Sequence, residues 1–205
     1  MSDLVRGRYQ VSNPLYSVLG QPSNTTQSNL AARSNAFTTG LNALTDGAAL
    51  TTAVATAVAI PVEIGDVITK VTVIVGATAA GTPVNSYAAL YSGVAVPALL
   101  AQSVDGGAAA IAASGSFTFT LSAPGVLVTA ANAPFGYLYA SVMVKATVAP
   151  TLCSTTVATA VAYKWFTNGP LGLGALAHGA ALTSTAPATI TGQTAQAVTP
   201  LVTLS

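Results

Sequence analysis

The sequence predicts an all-β protein: a jelly-roll-like antiparallel β-sandwich with an extended N-terminal arm and an irregular C-terminal tail. Two observations support this fold class. Apolar and polar residues alternate with a period of two in several short stretches, which is the pattern of half-buried strands. Glycine and proline separate these stretches, as they do in sandwiches and barrels. The expected divisions are an arm over residues 1–47, a sandwich over 48–167, and a tail over 168–205 that packs on the sandwich or on a neighbour.

The first strands of the sandwich have the clearest pattern. Residues 50–62 place Leu, Thr, Val and Ile at even positions, and Pro61, which has no amide hydrogen for a ladder, marks the end of this strand or a sheet edge. Residues 67–75 carry Val or Thr at every odd position. A Gly- and Pro-containing loop over 76–84 leads to another alternating stretch at 85–91. We expect strands 67–75 and 85–91 to form the central strand pair of the sandwich.

The remaining strands follow from the same pattern. Residues 116–122 place Phe117, Phe119 and Leu121 on one face. Residues 136–148 are semi-apolar on both faces, which suits either a central strand or a strand that packs against a partner. Shorter strands are expected at residues 99–103, 126–128 and 156–166. Eight strands with long loops favour a jelly roll over an immunoglobulin-like domain, whose Cys…Trp…Cys pattern is excluded because Cys153 is the only cysteine.

The scarcity of charge bounds the function. Charged residues make up 5% of the 205 residues, against about 25% in ordinary domains. The mean hydropathy of +0.64 comes from small residues, and no run of about 20 apolar residues predicts a membrane span. Six Lys and Arg residues spread along the chain form no basic cluster, so no nucleic-acid partner is expected. Few charges favour burial of the surface in an oligomer, although a Thr- and Ser-covered monomer is the alternative.

Residue types that carry chemistry are sparse. His178 is the only histidine, and no acidic residue follows Asp105, so a Ser-His-Asp triad has little support. Residues 172–177 match G-x-G-x-x-A but lack the acidic residue that a dinucleotide site needs. Glu63 and Asp66 fit a turn better than a Ca²⁺ site. We therefore expect no enzyme activity, no catalytic residues, no cofactor and no metal.

Five segments resemble a known family. They are AVAIPVEIGDVITKVTVIVGATAAGTP, YAALYSG, LLAQSVD, YLYASVMV and ATVAPTL. Together, residues 50–152 resemble a domain common in structural proteins of tailed phages of actinobacteria, with its GD-x-I-T turn, VGATAA-x-TP strand end and LLAQS-x-D strand. The sequence departs from the family at residues 85–87, where relatives often carry Trp. The resemblance implies a structural domain of the phage particle, in either the head or the tail.

The resemblance and the low charge together predict a decoration or cement protein. It would bind the major capsid protein on the outer surface of the capsid in the virion, as a homo-oligomer, with a trimer favoured. The N-terminal arm mixes apolar residues with arginines, and its expected contacts with the capsid or a neighbouring subunit are Arg6, Arg8, Tyr9, Leu15, Tyr16 and Arg33. The alternative for the arm is a frayed terminus.

A second functional hypothesis places the protein in the tail or baseplate. There it would be a minor tail protein or a receptor-binding protein that recognises host surface glycans through exposed aromatic rings. The candidate ligand contacts are Tyr87, Tyr91 and Trp165. The alternative for these rings is a place in the core, which is where strand aromatics more often lie.

Overall fold

The computed structural model describes residues 33–34, 45–156, 175–196 and 198–205, and all of them belong to one compact unit, Arg33–Ser205. These residues contain no helix and form fifteen strands, all paired antiparallel. The strands are Arg33–Ser34 (β1), Thr45–Ala49 (β2), Ala55–Pro61 (β3), Val67–Ile68 (β4), Lys70–Ile74 (β5), Gly81–Tyr91 (β6), Leu99–Gln102 (β7), Ser116–Thr120 (β8), Val126–Leu127 (β9), Tyr137–Val148 (β10), Thr151–Thr156 (β11), Leu176–His178 (β12), Thr194–Ala195 (β13), Val198–Pro200 (β14) and Val202–Leu204 (β15).

Two large sheets form the sandwich. The larger has six strands in the order β13-β12-β3-β10-β6-β7, and the smaller has four in the order β1-β15-β5-β8. A three-stranded sheet, β14-β11-β2, and the two-stranded ladder β4-β9 complete the described part. The predicted all-β antiparallel sandwich is confirmed.

The path of the chain between the two large sheets is that of a jelly roll without one hairpin. In the larger sheet β3, β10, β6 and β7 lie in the order of jelly-roll strands B, I, D and G, while β5 and β8 take the places of C and H in the smaller sheet. Among these six strands the chain changes sheet at every connection except β6 to β7. Residues 92–98 join those two directly, where a full eight-stranded jelly roll has two further strands.

The larger sheet is buried on both faces. Its inner face, with Ile60, Leu90 and Leu138, packs on residues of the smaller sheet such as Val71 and Leu204. Its outer face forms a second cluster with residues of the C-terminal segment: Ala55, Ala57, Ala59, Tyr87, Ala89, Tyr91, Tyr137, Tyr139, Met143, Leu176, Ala186 and Ile190. Of the two alternatives predicted for residues 136–148, the central strand is confirmed, because β10 lies between β3 and β6.

The predicted pairing of strands 67–75 and 85–91 is wrong. Both stretches form strands, but β5 pairs with β15 and β8, whereas β6 pairs with β10 and β7 in the other sheet. The alternation also shifts at Thr69. The backbone amides of Thr69 and Lys70 both donate to the Ser205 carbonyl, at 2.8 Å each, so Ile68 is buried before this point and Val71 after it.

The C-terminal segment is more regular than its composition predicts. Its described residues supply β12 to β15, and β15 lies inside the smaller sheet between β1 and β5. Strands β2 and β11 are also additions to the predicted set. The strand predicted at residues 156–166 lies outside the described residues except for Thr156, which ends β11. The predicted arm likewise lies outside them, apart from β1 and the first residues of β2.

Gly125 occupies a turn that a side chain would disturb. Its amide donates to the Ser122 carbonyl, its φ is +86°, and a Cβ there would lie 2.6 Å from the Ile68 carbonyl oxygen. We expect Gly125→Ala to lower the free energy of unfolding by about 1–3 kcal/mol, because positive φ and steric overlap both act. Gly65→Ala is the control, since Gly65 has a φ of +100° but open space around it. If both variants lower the urea midpoint by the same amount, the steric overlap with the Ile68 carbonyl contributes nothing and that part of the prediction is refuted.

Candidate functional site

A buried serine–histidine pair lies on the outer face of the larger sheet. The Nε2 atom of His178 on β12 is 2.8 Å from the Oγ of Ser141 on β10, and the imidazole meets the Tyr91 ring edge-on at a centroid distance of 5.5 Å. His178 is 2% exposed and Ser141 is fully buried. Burial lowers the pKa of His178 to about 4, because a charged imidazolium would lose its hydration.

This pair lacks two features of a nucleophile–base pair. Among the described residues, the buried Nδ1 of His178 has no hydrogen-bond partner, so none of their carboxylates orients the imidazole as in a catalytic triad. Neither side chain faces solvent where a substrate would arrive. We interpret the contact as a polar pair that fixes β12 on the sheet.

Two of the described carboxylates, those of Asp66 and Asp105, hold loops. Asp66 Oδ2 accepts the Glu63 amide at 2.9 Å, which confirms the predicted turn. Asp105 accepts hydrogen bonds from the Asn85 side chain and from the amides of Ser86 and Gly107. Burial opposes ionisation of Asp105, but these hydrogen bonds outweigh it and lower its pKa. In the described ranges, no group of three His, Cys, Asp or Glu residues is placed to hold a metal ion.

The predicted ligand-contact tyrosines are core residues. Tyr87 and Tyr91 are both fully buried, and the Tyr91 hydroxyl donates to the Pro187 carbonyl at 2.9 Å. Both rings belong to the outer-face cluster, which the C-terminal segment helps to cover. The expectation that these two rings face a glycan is therefore corrected. Trp165, the third candidate, lies outside the described residues.

The predicted arm contacts lie almost entirely beyond the described part. Arg6, Arg8, Tyr9, Leu15 and Tyr16 are outside it. The backbone of Arg33 opens β1, where Arg33 pairs with Leu204 of β15. The contacts of the six predicted arm residues with a neighbouring subunit or with the capsid remain a prediction.

Exposed apolar side chains gather on the loops at one end of the sandwich. We call Ile64, Val67, Val96, Leu127 and Phe135 the apolar end. Their exposed fractions lie between 55% and 71%. They sit on the connections β3–β5, β6–β7 and β8–β10, which a jelly roll brings together at one end. Val84, Val104 and Val148, which are also exposed, lie on or beside strand ends at the opposite end.

Backbone hydrogen bonds hold the loops of the apolar end together. Val62 donates to the Gly136 carbonyl at 2.9 Å, and Gly65 donates to the Val128 carbonyl at 2.9 Å. The third loop joins through Gly93, whose amide donates to the Asn132 carbonyl at 2.7 Å. Within this frame Val67 and Leu127 are direct partners on β4 and β9. The apolar side chains are therefore presented by a fixed surface.

The apolar end was missed by the sequence patterns. Alternation assigned Val67 to the buried face, because the shift at Thr69 has no local signal. Ile64 lies in a predicted turn and Phe135 lies directly before the strand predicted at 136–148, so no period marks either residue. A signal was present in composition, because large apolar residues are unusual in turns rich in Gly, Pro and Asp.

The comparisons add no family assignment. Comparison with protein-family models and with curated protein sequences found no match for this chain. Across the described residues, no helix is long and apolar enough to cross a bilayer.

Proposed function

We propose that this chain is a structural protein of a tailed phage, a decoration protein that binds the major capsid protein on the outside of the head and stabilises it. The observation that carries the proposal is the apolar end, where five large hydrophobic side chains are exposed on fixed loops. Clustered exposed apolar residues mark interaction surfaces. The resemblance of residues 50–152 to structural domains of tailed phages is the reason for proposing a phage particle as the binding partner.

The proposed mechanism is adhesion. Burial of apolar area contributes about 25 cal/mol per Å², whereas association costs about 4–15 kcal/mol in lost freedom. A small contact per chain is therefore weak alone. A homotrimer that presents three copies of the surface would bind the capsid with higher overall affinity through multivalency, without any new type of contact.

Immunogold labelling of purified virions tests the location. Antibody raised against the chain should place gold over the whole outer surface of the head, and the preimmune serum serves as the control. Gold confined to the tail or its tip would overturn the decoration role. Absence of label on intact and on gently disrupted particles would overturn a place in the virion altogether.

The alternative role, a tail or baseplate protein that recognises host glycans, now rests on a different ring. Phe135 is 59% exposed and stacks on Tyr137 with a centroid distance of 6.3 Å and an interplanar angle of 22°. An exposed ring of this kind offers an apolar face to a sugar. Gold at the tail tip would make Phe135 the residue to test in place of Tyr87 and Tyr91.

A further inference from the structure

We infer that Lys145 and Asn85 form a covalent cross-link between β10 and β6, an isopeptide bond made with release of ammonia and with Asp105 as the proton carrier. The inference goes beyond the proposed function and does not depend on a place on a phage particle. Three observations lead to it: the register of the two strands, the hydrogen bond between Asn85 and Asp105, and the partly buried surroundings of these side chains.

Lys145 and Asn85 face each other within the larger sheet. They are register partners on β10 and β6, and directly opposite residues of antiparallel strands have Cβ atoms about 4.5–5.5 Å apart. The neighbouring pair on the same face is Met143 and Tyr87, both fully buried in the outer-face cluster. The register shifts immediately after Lys145, and irregularities of this kind re-aim side chains on strands. The flexible four-carbon stem of Lys145 can therefore bring its Nζ to the carboxamide of Asn85.

Asp105 contacts the atom that the reaction would release. The Nδ2 of Asn85, which is the leaving nitrogen, donates to Asp105 Oδ2 at 2.6 Å. Asp105 is itself held in place, because its Oδ1 accepts the amides of Ser86 at 2.8 Å and of Gly107 at 3.0 Å. Against the effect of burial, these hydrogen bonds keep the pKa of Asp105 below its ordinary value. The carboxylate is therefore ionised at neutral pH and has a free lone pair with which to take up a proton.

Tyr87 shelters the site on one side. Asn85, Lys145 and Asp105 are each half-buried, and the buried hydroxyl of Tyr87 has no hydrogen-bond partner among the described residues. Burial and the charge of Asp105 together raise the pKa of Tyr87 to about 12, so this hydroxyl keeps its proton and senses the same carboxylate. Attack of an amine on an amide carbonyl produces an oxyanion, which a donor in a partly dehydrated site stabilises. Partial exclusion of water also limits competing hydrolysis of the amide.

The reaction uses only groups of this chain. After its ammonium group has given one proton to solvent, Lys145 Nζ forms a bond to Asn85 Cγ, and the carbonyl oxygen takes the electron pair of the C=O π bond. Asp105 takes a second proton from Nζ and passes it to Nδ2. The carbonyl then re-forms, the Cγ–Nδ2 bond breaks, and Nδ2 leaves with three hydrogens as ammonia. Atoms and electrons balance without an oxidant or a cofactor, and the product is a secondary amide that joins the two strands.

The mass of the intact full-length chain tests the inference. The cross-linked chain should be lighter than its sequence mass by one ammonia, about 17 Da. Asp105 lies between Asn85 and Lys145 in sequence, so the two fragments that flank a cleavage before Asp105 should stay joined after denaturation and digestion with an Asp-specific protease. Lys145→Arg and Asp105→Asn should each have their full sequence mass, because the first lacks the nucleophile and the second lacks the proton carrier.

Lys70→Arg is the matched control for the lysine. Lys70 is also on a strand, but its register partner is Thr120, so this variant should keep the loss of about 17 Da. Circular dichroism of each variant verifies that the sheets form.

Three results would contradict the inference. An unaltered chain at its full sequence mass would overturn the cross-link. A loss of ammonia that persists in Lys145→Arg would also overturn it, because the loss would then come from ring closure at an asparagine. A cross-link that persists in a folded Asp105→Asn variant would overturn the role of Asp105. The location of the protein on a phage particle is measured separately by the immunogold experiment.

Discussion

Replacing Leu204 by alanine is expected to lower the free energy of unfolding by about 2–5 kcal/mol. Leu204 is fully buried in the inner core, on a strand that pairs with β1 on one side and β5 on the other. The substitution removes apolar contacts within the inner core and leaves a cavity that surrounding side chains fill only in part. Urea unfolding followed by circular dichroism measures the loss.

Thr203→Ala is the matched control for this prediction. Thr203 is on the same strand, only half-buried, and pairs with Thr72, so its truncation should cost less than about 1 kcal/mol. If Leu204→Ala costs no more than Thr203→Ala, then β15 is a peripheral strand and its place in the core is refuted.

Acid is expected to destabilise the fold through His178. Its pKa is about 4 in the folded chain, against an ordinary value of 6.5. Between these pH values the unfolded chain binds a proton that the folded chain excludes, so stability falls as the pH falls from 6.5 to about 4. The loss amounts to about 3 kcal/mol in total and stops once both states are protonated.

Urea midpoints measured at several pH values from 7.5 to 4 test this linkage. The His178→Gln variant keeps a polar partner for Ser141 but has no proton to gain, so its stability should be nearly flat over the same window. The variant will be less stable near neutral pH because the side chain is replaced in a packed site. The same slope in both proteins would show that other groups cause the acid sensitivity.

The sequence predicts strands in this protein better than it predicts their partners. The strands predicted at 99–103, 116–122 and 136–148 lie close to β7, β8 and β10. Strand β6 begins at Gly81, inside the predicted loop over 76–84, so the prediction of 85–91 gave only its second half. The pairing prediction placed 67–75 beside 85–91 because they are neighbours in sequence. Whether a connection turns within one sheet or crosses to the other depends on distant partners such as β15, which no local pattern records.

The candidate site was harder to predict than the core. Tyr87 and Tyr91 have the residue type and spacing of an aromatic binding platform, but both faces of β6 are covered in the folded chain. Part of this cover comes from residues 182–190, which are far away in sequence. The apolar end depends on three loops that meet only in the folded chain. Single apolar residues in separate loops form one surface only after the loops have come together, whereas periodicity detects patterns only within a continuous stretch of sequence.

The position of β15 also has a consequence for synthesis on the ribosome. Val73 pairs with Val202, roughly 130 positions later in the chain, and at about 5–20 residues per second this interval lasts roughly 6–26 s. During that time one edge of β5 has no native partner, and an open apolar edge is a template for pairing with another nascent chain. Closely spaced ribosomes on one messenger would bring such edges together, so slow or crowded translation should favour aggregation of this protein over folding.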